Sequence, residues 1–244
     1  MYFFETVLSD PQALARNGLR LIHFVGLALG LGTATVLDLI VVRFFLGKTV
    51  RQSTLDVFAF CANVVSLGLL ALWVSGIGFL IYYWHFDPIN LTNGKIYAKI
   101  MIVLILTLNG YFIHATVLPF VKRQLGKTLF EGVSKSRQHL LITTAMVSAV
   151  SWYCPLIIAN LPQLNFTVPV IQILAIYGAL LAAVMVVAHV VLLARTSAQA
   201  LIGQVSAQSR IRSKVHVGRP PIAQNMTDNA HPISARPRNK FVTQ

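Results

Sequence analysis

Long apolar runs separated by short, basic, polar segments dominate the chain. The runs over about 20–46, 55–84 and 97–121 each exceed the roughly 20 residues that a helix needs to cross a bilayer. Residues 140–194 contain no Asp, Glu, Lys or Arg. That stretch is too long for one crossing. Asn160-Leu161-Pro162-Gln163 and Pro169 break it, which predicts two helices, about 140–161 and 169–194. Strict alternation is absent, and backbone groups in lipid must bond within their own segment, so no strand pattern competes. The prediction is an all-α, polytopic bundle of five transmembrane helices over 1–195, followed by a tail over 196–244.

The ends read differently. The first 19 residues lack a basic start, a short apolar core and a small-residue cleavage site, so no signal peptide is expected. Asp10-Pro11 has the form of an N-cap with proline at the first helical position, and predicts a short interfacial helix leading into the first span. Residues 196–244 are rich in Ser, Gln, Asn, Pro and Arg and keep no apolar period, which predicts a disordered tail.

Composition agrees with the pattern. Charged residues make up 11% and apolar residues 56% of the 244, and mean hydropathy is +0.69. A soluble domain could not cover its surface with so few charges. The 20 Lys and Arg against 7 Asp and Glu give a net charge of +13. Arg16, Arg20, Lys95 and Lys99 fall on one side of the five spans, and the other sixteen basic residues fall on the opposite side. The positive-inside rule then puts the N-terminus outside and the C-terminus in the cytoplasm. Arg210, Arg212 and Lys214 are placed to meet anionic lipid, although a solvated tail that merely obeys the rule has the same charge. No nucleic-acid-binding motif accompanies the excess of base. Cys61 and Cys154 both lie within apolar spans and form no CxxC pair, which argues against a disulfide framework or a zinc site.

Ionisable groups within spans are costly and mark candidate sites. Asp38, Lys99, His23, His114 and His189 are such groups, with His85 at a span end. At 100° per residue, His23, Gly26, Gly30, Ala34 and Asp38 share one helical face. So do Ala71, Ser75, Gly78, Tyr82 and His85, then Lys99, Val103, Thr107, Gly110 and His114, and finally Ala175, Gly178, Ala182 and His189. Stripes of small residues mark close helix approach, so these faces are expected to turn inward. Asp38, His114 and His189 fall at similar depth in an inner layer; His23 and Lys99 fall in an outer one.

Two histidines at one depth on different helices suit axial ligation of haem b, which makes His114 and His189 candidate iron ligands. Hydrogen bonds to neighbouring helices account for the same residues without a cofactor. Lys99 is placed either to hold a carboxylate or to snorkel to headgroups. Asp38 suits a proton relay, orientation of a histidine, or a pair with Arg43. His85, beside Tyr82, Tyr83 and Trp84, fits an aromatic interface belt, and His139 only flanks the fourth helix.

Leu21-Ile22-His23-Phe24-Val25-Gly26 and Lys95-Ile96-Tyr97-Ala98-Lys99-Ile100-Met101-Ile102-Val103-Leu104 together resemble a group of small bacterial inner-membrane proteins. That group includes the membrane-bound protoporphyrinogen oxidase type and the copper-resistance D type. The resemblance covers helices one to three. It implies haem or porphyrin handling by His23 and Lys99 and residence in a bacterial inner membrane. Asp38, the His114/His189 pair and the long basic tail depart from it. No GxSxG, HExxH or P-loop points to hydrolysis. The leading expectation is a b-type haem protein in electron transfer with a quinone or other redox partner. A porphyrin-modifying oxidase, and a non-enzymatic small transporter or scaffold subunit, are the alternatives.

Overall fold

A computed structural model describes residues 9–217. Every element in it of helical length is a helix, and five are long and apolar enough to cross a membrane. They are α1 (Pro11–Phe45), α2 (Gln52–Phe86), α3 (Gly94–Arg123), α4 (Lys135–Ala159) and α5, whose apolar part is Val170–Ala198. Each of the five predicted spans falls on one of these helices. Asp10 caps α1 as its sequence suggested: its Oδ1 accepts the Ala13 N–H at 2.9 Å. The helix that starts at Pro11 leads into the first span without a break. Nothing between Pro11 and Arg20 breaks the ladder, so those turns continue directly into the first span.

Close approach of α1 and α2 organises the bundle. Gly26 and Gly30 form a GxxxG pair that meets Gly68. A Cβ on Gly68 would lie 2.5 Å from the Gly30 nitrogen, and one on Gly26 would lie 2.9 Å from the Gly68 carbonyl. Lipid gives no hydrophobic drive between helices, so such backbone contact supplies the packing. The remaining space at Gly30 is filled from α4 by Trp152, which is 2% exposed. Ala34, Leu72, Leu106 and Trp152 form the core where α1 to α4 meet.

The chain ties itself at both ends. At one end, Asn93 caps α3 by accepting the Lys95 N–H at 3.1 Å. The buried Lys95 ammonium then donates to the carbonyls of Ala159 and Leu161 at 3.2 and 3.0 Å. Those carbonyls belong to the C-terminal end of α4, where helices leave acceptors unpaired and favour a cation. At the other end, Val50 and the 124–130 segment exchange backbone bonds: Val50 N to Lys127 O, and Gly126 N to Val50 O, both 2.9 Å. Phe44, Val50, Leu55, Val121 and Leu129 bury one another beneath that tie.

Helix α5 attaches differently. Its small stripe is not its packing face: Ala175, Gly178 and Ala182 are exposed, whereas Ile173 and Tyr177 are buried. Tyr177 brings a polar handle, its hydroxyl 2.8 Å from Ser151 Oγ on α4, and large side chains rather than glycines meet the neighbour. The described chain divides into a compact unit up to Leu192 and a second unit from Leu193. In the second unit the helix persists to Val217, not to 194 as the loss of apolar period suggested. Residues 195–217 are polar but contain no proline, and the first, Pro220 and Pro221, come later. Arg210, Arg212 and Lys214 therefore lie on a helix; residues 218–244 are outside the described region.

Candidate functional site

A cavity of about 500 Å³ lies among α1, α2, α3 and α4. The small residues that pull the helices together determine where they diverge. Ala34, Ala62, Gly110 and Ala145 line its wall and leave room that larger residues would fill. Phe58, Trp73, Tyr111 and Trp152 supply aromatic side chains to its wall. The polar groups are few: Asp38, Ser66, Thr107, His114, Thr144 and Ser148. Most of them are engaged with protein. Trp73 Nε1–H donates to Thr107 Oγ1 at 2.9 Å, and Thr107 donates to the Val103 carbonyl at 2.7 Å. Thr144 donates to Leu140 O at 2.9 Å.

His114 enters this cavity from an irregular turn. Ile113–Val117 is π-helical, and the Leu118 N–H reaches back to the Ile113 carbonyl. Pro119 explains the turn: it has no N–H for the carbonyl of Ala115, and its ring crowds that carbonyl. Single π-turns of this type recur at functional sites. The displaced ring puts Nε2 3.0 Å from Ser66 Oγ, and Ser66 donates to Ala62 O at 3.0 Å. Ser66 thus links the ring to the backbone of α2.

Asp38 is the unusual member. It lines the cavity from α1, and among the described residues its carboxylate has no hydrogen bond and no ion pair. Of the three readings of Asp38, the pair with Arg43 does not form. The two residues are five apart on α1, which turns their side chains to different faces.

His189 joins a different network. Its Nδ1 contacts the Met185 carbonyl at 2.8 Å and its Nε2 approaches Thr143 Oγ1 at 3.5 Å. Its ring stacks on His139, with centroids 5.0 Å apart and planes 4° from parallel. It does not line the cavity that holds His114. Equal depth is thus not equal azimuth: His114 serves the α1–α4 space, and His189 faces α4 from α5. His139, read from sequence only as a flank of α4, proves to be the closest aromatic partner of His189. Nothing in its basic surroundings marks that, because it depends on the rotation of α5.

In the outer layer, His23 Nδ1 lies 2.9 Å from Ser75 Oγ, and the ring meets Phe79 edge-on at 5.9 Å. Lys99 is near enough to act electrostatically on that ring, and it makes no hydrogen bond among the described residues. Lys99 is within electrostatic range of His23, whose hydrogen-bond partner is Ser75. His85 is exposed and stacks on Trp84 at 6.1 Å, as a belt residue does.

The donor set can be tested against haem b. Bis-histidine ligation needs two imidazoles that converge with a free nitrogen each. Here the His189 nitrogens both meet protein acceptors or hydroxyls, and His114 belongs to another space. The cavity wall also holds no Lys or Arg to balance propionates, and presents the Asp38 carboxylate instead. The His114/His189 pair does not fit a haem in this arrangement. Among the described residues, no group of three or more His, Cys, Asp or Glu is placed to hold a metal ion. Cys61 and Cys154 are buried free thiols. Compared with protein-family models, curated proteins and solved structures, the chain matches none.

Proposed function

We propose that this multi-pass membrane protein binds a largely apolar small molecule in the cavity among α1–α4 and works as a carrier or receptor subunit, with its basic end in the cytoplasm. One observation carries the reading: an intramembrane space of about 500 Å³ with aromatic walls and a few convergent polar groups, Asp38 and His114 foremost. Ligand sites are of this size and character, roughly 300–1,000 Å³ and mostly apolar. Ionisable groups facing a cavity within a bundle mark substrate and proton pathways. The short connections between spans leave no room for a soluble catalytic domain in the described region.

Two of the three tryptophans, Trp73 and Trp152, line the space, while Trp84 is exposed at a helix end. The test uses Trp84→Phe protein in nanodiscs titrated with the neutral aromatic amine 1-aminoanthracene. Saturable quenching of the remaining emission, above that from linear partition into lipid, supports the reading. Linear quenching alone contradicts it. Purified after expression with ample haem, the protein is expected to show no Soret band. A Soret band removed by His114→Ala would support the haem reading instead.

A further inference from the structure

Resting on that reading, we infer that the ligand is an organic cation, with Asp38 as its counter-ion and the aromatic wall as its second point of recognition. Asp38 is the starting point. It lines the cavity without a hydrogen bond or an ion pair among the described residues, and the wall contains no Lys or Arg to neutralise it. The other ionisable wall groups are His114, whose ring is engaged with Ser66, and Tyr111.

A lone carboxylate within a span is costly unless something of opposite charge meets it. No side chain does so here, which leaves a proton or a cationic ligand. The rest of the wall discriminates in the same direction. Trp73, Tyr111 and Trp152 belong to the wall, and aromatic rings attract ammonium groups. An anionic ligand would meet the Asp38 charge without compensation. A neutral ligand of the same shape would gain the apolar contact alone.

The experiment compares two isosteres that differ by one charge: benzyltrimethylammonium, and neopentylbenzene with carbon in place of nitrogen. Each competes with 1-aminoanthracene on the full-length protein in nanodiscs. The cation is expected to bind at least tenfold more tightly than its neutral isostere in the wild type. That preference should disappear in Asp38→Asn and persist in Asp38→Glu, which keeps the charge and guards against a mere folding defect. Equal affinity of the two isosteres in the wild type overturns the inference while 1-aminoanthracene binding remains. A preference unchanged in Asp38→Asn also overturns it. Loss of 1-aminoanthracene binding from the wild type sinks the cavity reading itself, so the two failures are distinguishable.

Discussion

Single residues carry the packing to an unusual degree, because in lipid the contacts have to come from shape and hydrogen bonds. Gly68 is the sharpest case. A methyl group there would lie 2.5 Å from backbone of α1, which cannot rotate away as a side chain could. Gly68→Ala is expected to cost about 1–3 kcal/mol, the range for overpacking. Gly76→Ala, where nothing lies within 4 Å, is expected to change stability by less than about 0.5 kcal/mol. Thermal unfolding in detergent distinguishes the two. Lys95 offers a second test. It is 6% exposed and donates to two carbonyls at the end of α4. Lys95→Met should destabilise by about 1.5–3 kcal/mol, as expected for lost bonds from a charged donor. Its role was not legible in the sequence, where it stood as one of four basic residues on the less basic side and as the start of the α3 stretch that carries the resemblance. The bond depends on where α4 ends in space, and no local pattern reports that.

At the level of elements, the five spans were legible because length and hydropathy alone define them. The inner face was legible on α1, where Gly26, Gly30 and Ala34 are buried. On α3 the buried stripe is Lys95, Ala98, Ile102 and Leu106, one residue off the expected Lys99, Val103, Thr107, Gly110 and His114, of which the last three line the cavity instead. On α5 the same rule failed. Tyr177 and Ile173 dock that helix, and the glycine and alanine stripe is left outside. Small residues permit close approach but do not compel it when a tyrosine hydroxyl has a partner such as Ser151 across the interface. A double-mutant cycle of Tyr177→Phe and Ser151→Ala should return a coupling of about 0.6 kcal/mol, and no more than about 1.7, as for other interhelical bonds in membranes. Zero coupling would mean that α5 docks by shape alone. The π-turn at Ile113–Val117 has a visible cause in Pro119. Pro119→Ala restores the missing donor. It is expected to return the turn to α-helix and move His114 away from Ser66, which the imidazole nitrogen chemical shifts of His114 would report.

Two features organise the account at this scale: the excess of basic residues in the 48–51 and 122–137 connections, and the cavity lined by Asp38 and His114. The first predicts an orientation. A cysteine at Glu131, in the connection at the basic end, should react with a membrane-impermeant maleimide only after cells are permeabilised, whereas one at Ile89 should react in intact cells. Both native residues are exposed at their surfaces, and the native cysteines are buried, so background is low. The opposite labelling pattern would invert the topology. The second feature was half legible. Asp38 and His114 stood out as intramembrane ionisable groups, but phase within a helix does not show how one helix is turned toward another, so His114 was paired by depth with His189 rather than with the α1–α4 space. Ser66, Thr107 and Trp73 belong to the site by interhelical register, which a single sequence does not display. Gly110 provides the most direct test that this space is the binding site. It lines the cavity, and a Cβ placed on it meets nothing within 4 Å, so a larger side chain can enter without disturbing a neighbour. In the Trp84→Phe background, Gly110→Leu is expected to keep the thermal stability of its parent and to abolish saturable quenching by 1-aminoanthracene. Unchanged saturable binding in a stably folded Gly110→Leu protein would contradict the account.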